Sequence, residues 1–205
     1  MEKLRIMRKI WLLSIFLVIQ ASANMWISAG QAYGIEPRLL YAISKVESNV
    51  RPWVISVNYK KLSSSQSKKL YSMLRTKKIF YNTFTKVIEI DNQDINQAKG
   101  VISFLDSNHY PSFDIGLMQI NSIHKKTLAK NGITLDALLD ENCNLHVAAG
   151  ILWNCYKKHK STHKAINAYN GKTVGNPYYS KVFSILNNLL LPTEDVSKRL
   201  FYCVI

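Results

Sequence analysis

Residues 39–49 read LLYAISKVESN, and the decisive letter is Glu47. Leu40, Ile43 and Glu47 stand at i, i+3 and i+7, so a helix through this stretch projects all three from one side. Glu47 then lies near the C-terminal end of a helix and on its apolar face. Both placements disfavour a carboxylate, because apolar neighbours desolvate it and the helix C-terminus carries partial negative charge. Its pKa is expected above the ordinary Glu value of about 4.3. A carboxylic acid that keeps its proton near neutral pH suits general-acid catalysis. An isolated Glu at a helix edge usually bends out to water, so the rest of the chain decides the matter.

Working outward, the N-terminus reads as a secretory signal. Lys3, Arg5, Arg8 and Lys9 form a basic region, residues 10–19 an apolar run, and Ala21-Ser22-Ala23 a small-residue cleavage site. The run is too short to span a bilayer, which takes about 20 residues, so no stable membrane span is expected after cleavage. The remaining residues 24–205 suit a single domain with a full core. The whole chain has 27 Lys and Arg against 13 Asp and Glu. Without the signal the balance is 23 against 12, about +11. Such charge favours polyanions such as nucleic acid, acidic lipid or an anionic wall polymer, without choosing among them. Export argues against nucleic acid as the partner.

Export also permits a disulfide among Cys143, Cys155 and Cys203. Cys143 and Cys155 flank one expected helix, whose rise separates them by roughly 18 Å, too far to bridge. Any bridge is therefore expected to use Cys203.

Residues 35–48 are expected as a helix with Pro37 in its first turn. Residues 53–57 read as a short strand and 79–90 as a second one. Between them, residues 60–78 are rich in Ser and Lys, with Leu70, Met73 and Leu74 able to line one short helix. Residues 94–105 read as a helix. From His124 the chain is helical: Asn131-Gly132 stops one helix, Thr134 caps the next, and residues 144–158 and 162–169 form two more. Asn176-Pro177 then opens a last helix, to about Leu190. The fold class expected is α+β and mainly α-helical, with a small β-hairpin inserted at about residues 58–95.

Two further segments carry polar groups in suggestive places. In residues 114–121, DIGLMQIN, Gln119 and Asn121 interrupt an apolar run at strand-like spacing. A neutral amide donates and accepts at once, which suits sugar hydroxyls and N-acetyl groups, although such amides are usually satisfied inside the protein. In residues 168–171, AYNG, a Tyr ends a helix before an Asn-Gly turn. His159 and His163 form one helical pair, but their lysine-rich surroundings are unfavourable for a metal, and neither metal nor cofactor is expected.

YAISKVES, DIGLMQIN, NLHVAAGILW and AINAYNG, in this order in an exported basic protein, resemble the lytic transglycosylases related to goose-type lysozyme. They are most similar to the small single-domain members that accompany conjugation, secretion and pilus machines. The resemblance implies a lysozyme-like fold acting on peptidoglycan glycan strands in the periplasm, beside components of such an apparatus. It implies that Glu47 is the catalytic acid/base and that Gln119 and Asn121 contact the glycan. Tyr169 would orient Glu47 and Asn170 would line the cleft, with Ser48 and Met118 among the substrate contacts. It also implies a one-carboxylate reaction that closes a 1,6-anhydro ring on N-acetylmuramic acid (MurNAc), Asp114 being read as a turn or cap residue. The gap between Glu47 and Gly116 is long for compact members, and its Ser/Lys-rich part matches no pattern. The alternatives are a hydrolytic muramidase and a non-catalytic wall-binding assembly protein.

Overall fold

The computed structural model describes residues 25–189, 200 and 201. The signal segment and Cys203 lie outside the described residues. The described residues begin with helix α1 (residues 25–33). Helix α2 (Pro37–Glu47) follows, with Pro37 at its first position and Glu36 capping it by accepting from the Arg38 backbone N–H. Leu39, Leu40, Ala42 and Ile43 bury its inner face. The entry to α2 is held from the far end of the chain, where the Glu36 N–H donates to the Leu200 carbonyl at 2.9 Å.

Strand β1 (Val54–Asn58) leads to helix α3 (Ser64–Thr76), the helix expected in the Ser/Lys-rich stretch. Its start is a reciprocal capping box between Ser63 and Gln66, and only Leu70 and Leu74 are buried. The lysines around them lie on the solvated face, which is why the segment looks so little like core. The single strand expected over 79–90 is two strands, β2 (Phe80–Thr83) and β3 (Val87–Asp91). The Phe84 N–H donates to the Val87 carbonyl at 2.8 Å and closes a tight turn. No Gly, Asn or Pro marks that turn, so composition gave no sign of it.

Helix α4 (Ile95–Ser107), capped by Asp94, precedes strands β4 (Phe113–Ile115) and β5 (Ile120–Asn121). The two short strands pair and make DIGLMQIN a hairpin. The five strands form one antiparallel sheet in the order β2-β3-β1-β4-β5. The β-element is thus larger than an inserted hairpin: β1 lies at its centre, with the 80–91 hairpin on one side and the 113–121 hairpin on the other.

The helical part continues with α5 (Lys125–Lys130), α6 (Glu141–His159), α7 (Thr162–Tyr169) and α8 (Tyr178–Asn188). Asn131 and Gly132 (φ +72°) end α5 as expected, and Thr134 Oγ1 accepts from the Ala137 N–H. The last helix begins one residue later than Asn176-Pro177 suggested, but the Asn176 side chain still accepts from the Tyr178 N–H at 3.1 Å. His159 and His163 are not a pair on one helix. Lys160, at φ +50°, ends α6 between them, and His163 belongs to α7. Cys143 and Cys155 both ride on α6 as free thiols. Among the described residues, no helix is long and apolar enough to cross a membrane.

Candidate active site

A cleft of about 740 Å³ runs between one face of the sheet and the helices, and Glu47, Asp114, Gln119, Asn121, Tyr169 and Asn170 all line it. Glu47 is the last residue of α2. Beyond it the backbone turns sharply, and Asn49 and Val50 both adopt left-handed φ of +57° and +63°. A β-branched residue there is strained. The turn is tied down by Arg51, whose Nε donates to the Ser48 carbonyl while its two terminal nitrogens pair with Glu89 and Asp91 of β3. The end of α2 is therefore fastened to the sheet.

The hairpin between β4 and β5 is held by side chains from α6, from α7 and from the residue that follows α2. Asn144 of α6 is fully buried and makes three bonds. Its Nδ2 donates to the carbonyls of Ile115 and Leu138, and its Oδ1 accepts from the Met118 N–H at 2.8 Å. Ser48, just past α2, donates to the Leu117 carbonyl at 2.7 Å. The Tyr169 hydroxyl at the end of α7 donates to the Met118 carbonyl at 2.8 Å. Gly116 sits at φ +75° where a Cβ would come within 2.7 Å of Asn144 and of the Leu138 carbonyl, so glycine alone fits. A turn buried in this way needs a partner for each backbone polar group, and these residues supply them.

This geometry corrects three expectations. Ser48 is buried and spends its hydroxyl on the turn rather than facing a glycan. Met118 is fully buried and contributes backbone bonds to the scaffold. Tyr169 does not hold the Glu47 carboxyl: that hydrogen bond is donated by Tyr178, the first residue of α8, to Glu47 Oε1. Gln119 and Asn121 reach the cleft with amides partly committed. Gln119 Nε2 donates to the Val54 and Gly116 carbonyls, and Asn121 Nδ2 donates to Asp114 Oδ1 at 2.7 Å. Asn170, the C-cap of α7, accepts from Asn176.

The electrostatics favour a protonated acid. Burial pushes Glu47 up to about 7, against the lowering effect of the Tyr178 hydroxyl, and the nearby Asp114 charge raises it further. Asp114 is neither turn nor cap. It lies in β4 facing the cleft, and burial lifts it to about 6, with the Asn121 amide and the Lys61 charge working the other way. Burial raises both carboxyls of the cleft, and the Asp114 charge beside Glu47 further favours the protonated form of Glu47.

A family model described as the Transglycosylase SLT domain matches residues 24–176. The chain belongs to this family. It is a lytic transglycosylase of peptidoglycan, with the lysozyme-like fold of that family. Among curated proteins it is 29% identical over 203 residues to "Invasion protein IagB" of Salmonella typhi, covering 95% of this chain and 94% of that one. It is 30% identical over 153 residues to a "Peptidoglycan-binding-like protein" of Escherichia coli O157:H7, covering 73% and 65% of the two chains.

In this transglycosylase the residue that sequence reasoning missed is Tyr178. It lies two positions after Asn176, in a segment read only as a helix start. Its one local signal is a phenol on the buried face of that helix's first turn, where the hydroxyl needs a partner.

Proposed function

We propose that Glu47 alone serves as acid and then base in a reaction that releases 1,6-anhydro-muropeptides. Protonated Glu47 gives its proton to the glycosidic oxygen between MurNAc and N-acetylglucosamine (GlcNAc), and the bond from that oxygen to the MurNAc anomeric carbon breaks. The MurNAc 6-hydroxyl oxygen then bonds to that carbon, and its proton returns to the Glu47 carboxylate. Atoms balance without water, and the acid form is restored. The observation that carries this reading is the Glu47 carboxyl itself, lining the cleft, held by Tyr178 and keeping its proton to about 7. Ionised Asp114 would stabilise the cation that develops as the bond breaks. Positive net charge suits a glycan whose lactyl and peptide carboxylates are anionic.

The reaction is assigned to the periplasm, where the expected signal peptide would deliver the chain and where its substrate lies. Similarity to a protein named for invasion supports local wall opening for an envelope-spanning machine. Asp114 is also the observation that favours the hydrolytic alternative, because a second carboxylate could activate water.

The pH profile of muropeptide release from purified sacculi tests the assignment. The rate should rise as pH passes through about 6, where Asp114 ionises, and fall through about 7, where Glu47 loses its proton. Tyr178→Phe removes a hydrogen bond that favours the ionised carboxylate, so the falling limb should move to higher pH. Asp114→Asn should abolish the rising limb while leaving the anhydro product. Release that continues undiminished well above the Glu47 pKa would contradict the acid role.

A further inference from the structure

The cleft-side face of the sheet does not end at the residues around Glu47. Directly opposed residues of an antiparallel pair point to the same face. Asp114 of β4 opposes Ser56 of β1, Ser56 opposes Glu89 of β3, and Glu89 opposes Asn82 of β2. Asp114, Ser56 and Glu89 all line the cleft, so Asn82 continues the same row. It is flanked on that face by Phe80, opposite Asp91, and by Phe84, which bonds to cleft-lining Val87. These rings are 70% and 56% exposed. Single exposed apolar side chains are ordinary, but two large rings bracketing an amide on a strand that continues a binding cleft are not scattered.

The strand that carries them is fixed from behind. Tyr81 points to the opposite face and packs on Tyr71 of α3 with ring centroids 5.6 Å apart. On the cleft-side face itself, Arg51 neutralises Glu89 at 2.7 Å and pairs with Asp91 at 3.0 Å. The platform is therefore pre-organised and carries no unpaired charge at its centre. Three interstrand spacings of about 4.8 Å put it about 14 Å from the Asp114 strand.

We propose that Phe80, Asn82 and Phe84 form a distal glycan subsite, which takes further sugars of the same strand whose scissile bond lies at Glu47. The two ring faces offer apolar surface to the C–H faces of the sugars, and the Asn82 amide donates to and accepts from hydroxyl and acetamido groups. The subsite rests on the reading of this cleft as a peptidoglycan cleft. It gives the 58–95 insertion a role in preferring long strands over short ones.

The test uses Glu47→Gln protein, which should bind without cleaving, and GlcNAc–MurNAc oligomers graded from tetrasaccharide to octasaccharide. Its affinity should rise with length. Adding Phe80→Ala and Phe84→Ala should flatten that rise and weaken octasaccharide binding about tenfold or more, about 1.4 kcal/mol. Thermal stability should be unchanged, because both rings are exposed. If the triple variant keeps the full length dependence, the rings serve another partner and the subsite is wrong, while the cleft reading stands. If Glu47→Gln protein binds no oligomer at all, the cleft reading falls and takes the subsite with it.

Discussion

Glu47→Gln should lower the rate of muropeptide release by about 10²–10⁴-fold, the range typical of losing general acid–base catalysis. Gln preserves the shape and still accepts the Tyr178 hydrogen bond, but it has no transferable proton. Binding to intact sacculi should survive. Stability provides a second, independent readout. The Glu47 pKa is raised on folding from 4.5 to about 7, so between those values the folded state holds a proton that the unfolded state has lost. Folding stability therefore declines as pH rises through this window, and above about 7 the full cost is present. Gln removes that cost, so the variant should match wild type near pH 4 and exceed it at pH 8, by up to about 3 kcal/mol. Thermal melts of both proteins at the two pH values check this. An equal difference at both would mean that Glu47 is not desolvated in the folded protein.

The second large effect belongs to a residue that touches no substrate. Asn144→Ala deletes three hydrogen bonds and leaves the Met118 N–H and the carbonyls of Ile115 and Leu138 without those partners, all inside the core. An orphaned buried polar group costs about 1–3 kcal/mol, so the variant should lose at least about 3 kcal/mol, measured by urea denaturation. Activity should fall with it, because the hairpin carrying Asp114, Gln119 and Asn121 loses its anchor. A loss below about 1 kcal/mol would mean that Asn144 does not hold the hairpin.

The residues differ in how much of their role the sequence exposed, and the reason is physical. Glu47 was legible because helical periodicity places a side chain on a face, and a carboxylate on an apolar face at a helix end has predictable electrostatics. The helices α2, α4, α6 and α7 were legible for the same reason, with Pro37 and Asp94 marking the starts of the first two. Ser48 and Tyr169 belong to the segments that mark the family, yet identity alone does not reveal what a hydroxyl bonds. Both serve the buried hairpin rather than the places expected of them, and their partners lie 69 and 51 residues away in sequence. Tyr178 went unread because its contact with Glu47 arises from the packing of α8 against α2, which no local pattern encodes. Asp114 was read as a turn or cap residue because it stands two positions before Gly116, whereas the turn, with left-handed φ at Gly116 and Gln119, begins after it and leaves Asp114 in β4 facing the cleft.

The most direct measurement is the mass of the muropeptides released from purified sacculi in water carrying heavy oxygen. Direct closure of the MurNAc ring by its own 6-hydroxyl predicts products lighter by one water than hydrolysis would give, with no heavy oxygen at the new chain end. Products of full hydrolytic mass carrying the label at the reducing end would contradict the account and assign Glu47 and Asp114 to a hydrolase.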